Sequence, residues 1–323
     1  MKNIDVHSHM LPAESISELG GKIEPVDGGN LYNIKILGKS VSPMTRGFYD
    51  IKERKMEIAR FGIDSQIVSP THHLFMYGED IKKAQRSSRV QNDGIAKICR
   101  ENPDTFYGNA TLPLQDPGTS LEELEHAYSK LEMKGVEIGT NIAGKNLDDE
   151  SLFPVYERLQ ELNMPIFVHP NDFLGRERLE KYYMGIVVGT IAETTVAVSS
   201  VLFGGVIGKF PRLKMIFCHG GGAIPYQIGR LRHAIGTRNE FGKNTVDIDK
   251  SMKNIYFDTV VFSPSSLSFL VNETGVENVV LGTDYPFNMG NWNSFNDIEK
   301  AGEISRKEKD LIENGNAKKL YRL

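Results

Sequence analysis

Hydrophobic positions along the chain fall into two alternating patterns. Short apolar runs, rich in β-branched residues, occur at 4–7, 65–69, 106–111, 135–139, 165–169, 214–219, 255–258 and 278–282. Between them lie longer stretches, such as 52–61, 85–101, 120–133, 152–162 and 264–273, with apolar residues three and four apart. The first pattern is that of buried strands and the second that of helices packed on one face. Helix-opening signals support the second set: Asp116-Pro117-Gly118 precedes one stretch and Ser263-Pro264 another. Strands alternating with helices predict a parallel sheet, and eight such units are the number that closes a (β/α)8 TIM-like barrel.

Two segments break the alternation. Residues 13–43 hold two glycine pairs and the alternating stretch Leu31-Tyr32-Asn33-Ile34-Lys35-Ile36, which predicts a small β-hairpin inserted after the first strand. Residues 171–188, after the fifth strand, read as irregular and as part of a lid. Both would stand at the C-terminal mouth of a barrel, where its loops build sites. Neither suggests a second domain, so 1–323 is read as one barrel.

Composition adds limits. Among 323 residues, 40% are hydrophobic and 25% charged, as in water-soluble folded proteins. The net charge of −4 comes with no basic block, so no nucleic-acid partner is expected. No leader peptide is expected ahead of the first strand, no apolar run reads as long enough to span a bilayer, and no membrane partner is expected. Cys99 falls in a predicted helix and Cys218 in a predicted strand, which suggests two reduced thiols and a cytoplasmic location.

The candidate chemistry sits where the strands end. His7 and His9, in Ile4-Asp5-Val6-His7-Ser8-His9, are two apart and project to one side of a strand. Three further strand ends carry His169, His219 and Asp284. In a barrel all five crown the same rim. One strand-end histidine is most simply a structural residue, but five such residues on one rim point to a metal. Imidazoles with a carboxylate suit Zn2+, with Mn2+ or Fe2+ as alternatives. His219, followed by Gly220-Gly221-Gly222, is the best candidate to move a proton without ligating. Asp258, at the end of the seventh strand, could orient a ligand, and Glu193 could favour a helix terminus. His72 and His73 lie near the mouth; His126 and His233 fall in helices, most simply on the solvent side.

The segments Asp5-Val6-His7-Ser8-His9-Met10-Leu11-Pro12, Phe167-Val168-His169-Pro170, Ile191-Ala192-Glu193-Thr194-Thr195, His219-Gly220-Gly221-Gly222-Ala223-Ile224-Pro225-Tyr226 and Leu281-Gly282-Thr283-Asp284-Tyr285-Pro286-Phe287 together resemble the amidohydrolase superfamily, and within it the decarboxylase branch. The resemblance implies a metal-dependent barrel with one divalent ion, usually zinc. His7, His9, His169 and Asp284 would be ligands, and His219 would activate metal-bound water. It further implies that Arg46 and Arg230 bind a substrate carboxylate, the second across a homodimer interface.

The chain departs from the branch in its pocket. Asn171 stands where a tryptophan follows the His-Pro of the fifth strand, later tryptophan positions hold Tyr183 and Ile186, and the only tryptophan is Trp292. Asn171 and Tyr183 are therefore candidate substrate contacts. The expected function is non-oxidative decarboxylation of a small unsaturated or aromatic carboxylic acid. The alternatives are hydrolysis of a lactone or amide, or hydration of a double bond, on the same site; a non-catalytic barrel with a structural metal is a third.

Overall fold

The computed structural model describes residues 2–26, 31–241 and 247–323. Eight parallel strands follow one another around a sheet in chain order. They are β1 (Ile4–Met10), β2 (Ser65–Pro70), β3 (Phe106–Thr111), β4 (Gly135–Gly139), β5 (Ile166–His169), β6 (Met215–Phe217), β7 (Ile255–Asp258) and β8 (Val279–Val280). Closure comes from β8 back to β1: Val6 N donates to Leu281 O at 2.9 Å, and Ser8 bridges Tyr285 in parallel. All seven residues of β1 are buried, as a strand covered by helices outside and side chains within must be.

Local chemistry places the helices as their sequences suggest. Asp50 caps Ile51–Arg60 by accepting from Glu53 N at 3.0 Å. Asp116 caps Pro117–Ser129, with Pro117 in the first turn where a missing N–H costs nothing. Ser263 caps Pro264–Thr274 in the same way. The main core packs these helices against the barrel, while Val6, Ile67, Phe167 and Ile216 share a separate cluster with the C-terminal residues Leu320 and Tyr321.

The insertion after β1 is not a two-stranded hairpin. It opens with a short helix, Ala13–Glu18, and continues as three antiparallel strands, Lys22–Val26, Leu31–Ile36 and Lys39–Met44. Residues 27–30 lie outside the described residues. Ile34, Ile36, Val41 and Met44 face a small core of their own with Leu11, Phe48 and Leu74, which anchors the insertion over the loops after β1 and β2. A third strand is needed because two strands alone bury too little apolar surface.

A second correction concerns residues 185–203. A π-helical turn, Gly185–Gly189, runs into the helix Thr190–Phe203, and together they are long and apolar enough by length and composition to cross a membrane. Here the helix packs on the barrel through Ala197, Val198, Val201 and Leu202. Glu193 is buried on it and accepts from Asn141 Nδ2 at 2.8 Å, so it ties this helix to the loop after β4.

Candidate metal centre and active site

The C-terminal ends of β1, β5 and β8 bring four donors together. The ligating atoms of His7, His9, His169 and Asp284 all lie within 4.8 Å of one another, and all four residues are buried. His7 Nε2 is 3.1 Å from His9 Nε2 and 3.1 Å from Asp284 Oδ1. Asp284 Oδ1 is also 3.2 Å from His9 Nε2 and 3.9 Å from His169 Nε2. Donors at about 2.1 Å from one ion stand about 3.4 Å apart in a tetrahedron, so these spacings fit a single cation. Among the described residues, neither Asp284 Oδ1 nor His169 Nε2 has a hydrogen-bond partner despite burial. Unpartnered buried donors and acceptors crowded round one point suit lone pairs converging on a cation.

The candidate ligands are held from behind. His7 Nδ1 lies 2.5 Å from Asp258 Oδ2, and His169 Nδ1 lies 3.1 Å from Pro170 O. His9 Nδ1 has Pro70 O at 3.3 Å and Glu137 Oε1 at 3.4 Å. These contacts turn each Nε2 towards the common point and raise its basicity. Asp258, expected from sequence only as a possible orienting group, also accepts from Gly220 N at 2.9 Å through its other oxygen. It thus joins a ligand on β1 to the chain beside His219.

Electrostatics match the geometry. Burial opposes ionisation of Asp284, yet His7, His219 and His9 around it hold its carboxyl well below the usual range. Burial likewise disfavours a charged His7, but Asp284 and Asp258 outweigh it and raise that imidazole to about 10. A cation among the ligands would replace this proton.

His219 stands apart from the quartet. Its Nε2 is 3.6 Å from Asp284 Oδ2, and its Nδ1 faces Cys218 Sγ at 3.2 Å. Both His219 and Asp284 adopt left-handed backbone, φ +53° and +57°, which non-glycine residues rarely take. Such conformations concentrate at functional sites. The glycines after His219 serve close packing: a Cβ on Gly222, itself at φ +66°, would lie 2.6 Å from Thr195 Oγ1.

Above the cluster opens a cavity of about 880 Å3, lined by His169, His219 and Asp284 at its floor and by Tyr183, Ile186, Tyr226, Phe269 and Phe287 higher up. Tyr183 is thus among the lining residues. Asn171 is not among the lining residues; its Oδ1 lies 3.5 Å from Thr140 Oγ1. Arg46 is exposed, donates from Nε to Tyr32 Oη at 2.6 Å, and stands two residues beyond Met44, which does line the cavity. Arg230 is exposed on the helix Ile224–Thr237, one turn after the lining Tyr226. Trp292 packs beside Phe61 and Tyr285, away from the cavity. His126 meets Asp93 on the surface.

Glu137 escaped the sequence reading. It is fully buried on β4, burial raises its pKa well above the usual range, and among the described residues neither carboxylate oxygen has a hydrogen-bond partner, Oε1 only approaching His9 Nδ1 at 3.4 Å. The available signal was a lone acid in the otherwise apolar run Gly135-Val136-Glu137-Ile138-Gly139.

Comparison with known proteins gives a consistent assignment. The chain is 35% identical to 2-amino-3-carboxymuconate-6-semialdehyde decarboxylase of Dictyostelium discoideum, over 97% of this chain and 90% of that one. It is 28% identical to gamma-resorcylate decarboxylase of a Polaromonas species, over 85% and 88%. In fold it is similar to the crystal structure of a dihydroxybenzoic acid decarboxylase from Polaromonas with bound manganese and 2-nitroresorcinol, at a TM-score of 0.82, 24% identity and coverage of 100% and 97%. The amidohydrolase family profile matches residues 4–323, and with a relative 35% identical over nearly the whole length, this chain belongs to the amidohydrolase family.

Proposed function

We propose that the protein is a divalent-metal-dependent, non-oxidative decarboxylase of a small unsaturated or aromatic carboxylic acid. The observation that carries this reading is a four-donor metal cluster with an unligated histidine beside it at the floor of a largely apolar cavity. The named relatives, decarboxylases of such acids, supply the reaction class. His7, His9, His169 and Asp284 would hold the ion; the donor set suits Zn2+ and also Mn2+. The ion, when bound, supplies Lewis acidity that stabilises developing negative charge and makes a coordinated water acidic.

The chain's own residues do the rest. His219 Nε2, directed at Asp284 Oδ2, takes up a proton and returns it to the carbon that loses CO2. The C–C bond to the carboxylate breaks, its electron pair stays on the substrate carbon, and the proton fills the vacated position. Apolar walls exclude water, which strengthens these interactions. Arg46, at the rim, would draw the acid in.

A second copy of the chain would complete the mouth. Tyr182, Tyr183, Val187, Val188, Tyr226 and Phe262 are exposed, and most of them line the cavity opening, an apolar surface suited to a dimer. Arg230, on the same helix as Tyr226, would then approach the partner's site. Free Cys99 and Cys218 favour a cytoplasmic setting.

The test is product analysis on purified, metal-supplied protein with a panel of unsaturated and aromatic acids. CO2 release supports the proposal; incorporation of labelled water oxygen into product supports hydrolysis or hydration instead. His219→Ala should keep the metal and lose most turnover, whereas Asp284→Ala should lose both. Full activity in either variant refutes the assigned roles.

A further inference from the structure

Beside the candidate metal quartet lies a second set of donors with a different chemical character. One ring nitrogen each of His169 and His219 and the Sγ of Cys218 all lie within 4.8 Å of one another. Cys218 Sγ faces His219 Nδ1 at 3.2 Å, while the Nε2 of that ring is aimed at Asp284. Sulfur and nitrogen at about 2.3 and 2.1 Å from one ion stand about 3.6 Å apart in a tetrahedron, so a small turn of the Cys218 side chain admits an ion. His169 supplies its Nε2, because its Nδ1 is engaged with Pro170 O at 3.1 Å. That Nε2 is buried and, among the described residues, has no hydrogen-bond partner. It is also the loosest member of the quartet, 3.9 Å from Asp284 Oδ1 against 3.1 and 3.2 Å for His7 and His9. His169, His219 and Gly220 line the cavity, which gives an ion its way in.

The two sets differ in softness. The quartet joins three imidazoles to the carboxylate of Asp284, a mixture that takes hard and borderline ions. The second set has a sulfur in place of the carboxylate, and thiolate selects soft ions. Burial keeps Cys218 as a thiol and shields it from bulky reagents, but a soft cation displaces the thiol proton. His169 has one free nitrogen and serves one ion at a time, so the second set fills at the expense of the first.

We propose that His169, Cys218 and His219 form an inhibitory site for soft divalent cations, overlapping the quartet through His169. Binding releases the thiol proton to solvent and forms bonds from the ion to Cys218 Sγ, His219 Nδ1 and His169 Nε2. A neutral imidazole carries one proton, so an ion on His219 Nδ1 leaves that proton on Nε2. No lone pair is then free at Nε2 to take up another. The ion thus removes a ligand from the quartet and silences the proton carrier together. The loss of turnover rests on the decarboxylase reading; the ligand set does not.

The test titrates the full-length, Mn2+-loaded protein with Cd2+. The parent should develop the ultraviolet sulfur-to-cadmium charge-transfer band. Cys218→Ser should lose that band, whereas Cys99→Ser should keep it. Cys218→Ala repeats the reading without placing a hydroxyl in the apolar surroundings of Val6 and Phe167. An outer partner of a metal ligand already contributes about 10- to 100-fold in affinity, so loss of the sulfur itself should lower the preference for Cd2+ over Mn2+ by about ten-fold or more, with Mn2+ affinity held within about two-fold. With an acid that the parent turns over, inhibition by Cd2+ should weaken by a similar factor in the Cys218 variants. A parent without the band at saturating Cd2+, a band that survives loss of Cys218, a preference unchanged by it, or equal inhibition of parent and variants overturns the proposal. If the band and its loss are found but no acid yields CO2, the site stands and the decarboxylase reading falls.

Discussion

Asp258→Asn puts the support of the metal ligands to its sharpest test. Asp258 Oδ2 meets His7 Nδ1 at 2.5 Å, while Oδ1 accepts from Gly220 N at 2.9 Å and Val260 N at 3.1 Å. Both oxygens are committed as acceptors, and the residue is fully buried. Asparagine keeps the shape but turns one acceptor into a donor. With its amide nitrogen towards His7, donor meets donor; turned over, it opposes two backbone N–H groups. The cheaper response is a tautomer change that moves the His7 proton to Nε2, the atom aimed at Asp284 and His9. A protonated Nε2 has no lone pair for a metal. A hydrogen bond to a charged group contributes about 1.5–3 kcal/mol. Removing a ligand's carboxylate partner typically weakens metal binding by about 10- to 100-fold, or about 1.4–2.8 kcal/mol, so the two magnitudes agree. Competition against a graded chelator near neutral pH measures the change directly. Metal affinity within about two-fold of the parent would show that Asp258 does not set the His7 tautomer.

Three further outcomes follow from buried groups. Because the neighbouring carboxylates raise His7 to about 10, the metal-free cluster keeps that proton below this pH and ligation must expel it. Metal affinity should therefore climb from about pH 6 to 8 with release of about one proton per ion, read by calorimetry in buffers of different ionisation heat; a pH-independent affinity refutes this. Burial pushes the Cys99 thiol up to about 12 and Cys218 well above its usual value, so iodoacetamide near neutral pH should leave the folded protein unlabelled and label both thiols in denaturant. Rapid labelling of the native protein would contradict that. Arg54, fully buried, donates to Gln66 Oε1, His9 O and Gly47 O and lies over the Tyr285 ring at 4.8 Å. Arg54→Met strands three acceptors and should cost about 3 kcal/mol or more in urea unfolding; a loss below about 1 kcal/mol would refute its role as a tie between β1 and the Arg46 loop.

The barrel was legible because its signal is periodic. Nearly every strand residue is buried on both faces, and a ligand-type residue stands near the end of three of them: His9 in β1, His169 after Phe167-Val168, and Asp284 after Leu281-Gly282-Thr283 beyond β8. The period of two that puts His7 and His9 on one side is a property of the chain alone. The insertion was misjudged because its first strand, Lys22–Val26, is half exposed and carries Pro25, and so lacks an alternating apolar code. Its place is decided by the pairing with Leu31–Ile36, not by its own composition. The start of the Gly185–Phe203 helix is misplaced from sequence for a related reason: Glu193, in the first turn of Thr190–Phe203, reads as a terminus signal, while its buried bond to Asn141 depends on a loop 52 residues away.

This contrast has a functional counterpart. The candidate metal ligands sit at or just beyond strand ends, whose direction is imposed by the barrel, so residue type and position suffice to predict that they meet. The cavity wall is assembled from Met44 of the insertion, His72 after β2, Ile186 in the π-turn, Val260 after β7 and Phe287 after β8, none of which shares a period with another. Their meeting depends on how each loop packs. Arg46 illustrates the consequence: a motif position places it at the carboxylate, but packing leaves its side chain on Tyr32, outside the cavity. Relatives can therefore keep the floor and replace the wall, since a changed wall residue alters which acid fits without disturbing the ion's donors. Substrate preference in this fold is then a property of the loops, and His72, which touches both the wall and the ligand His169, is the point at which the two layers meet.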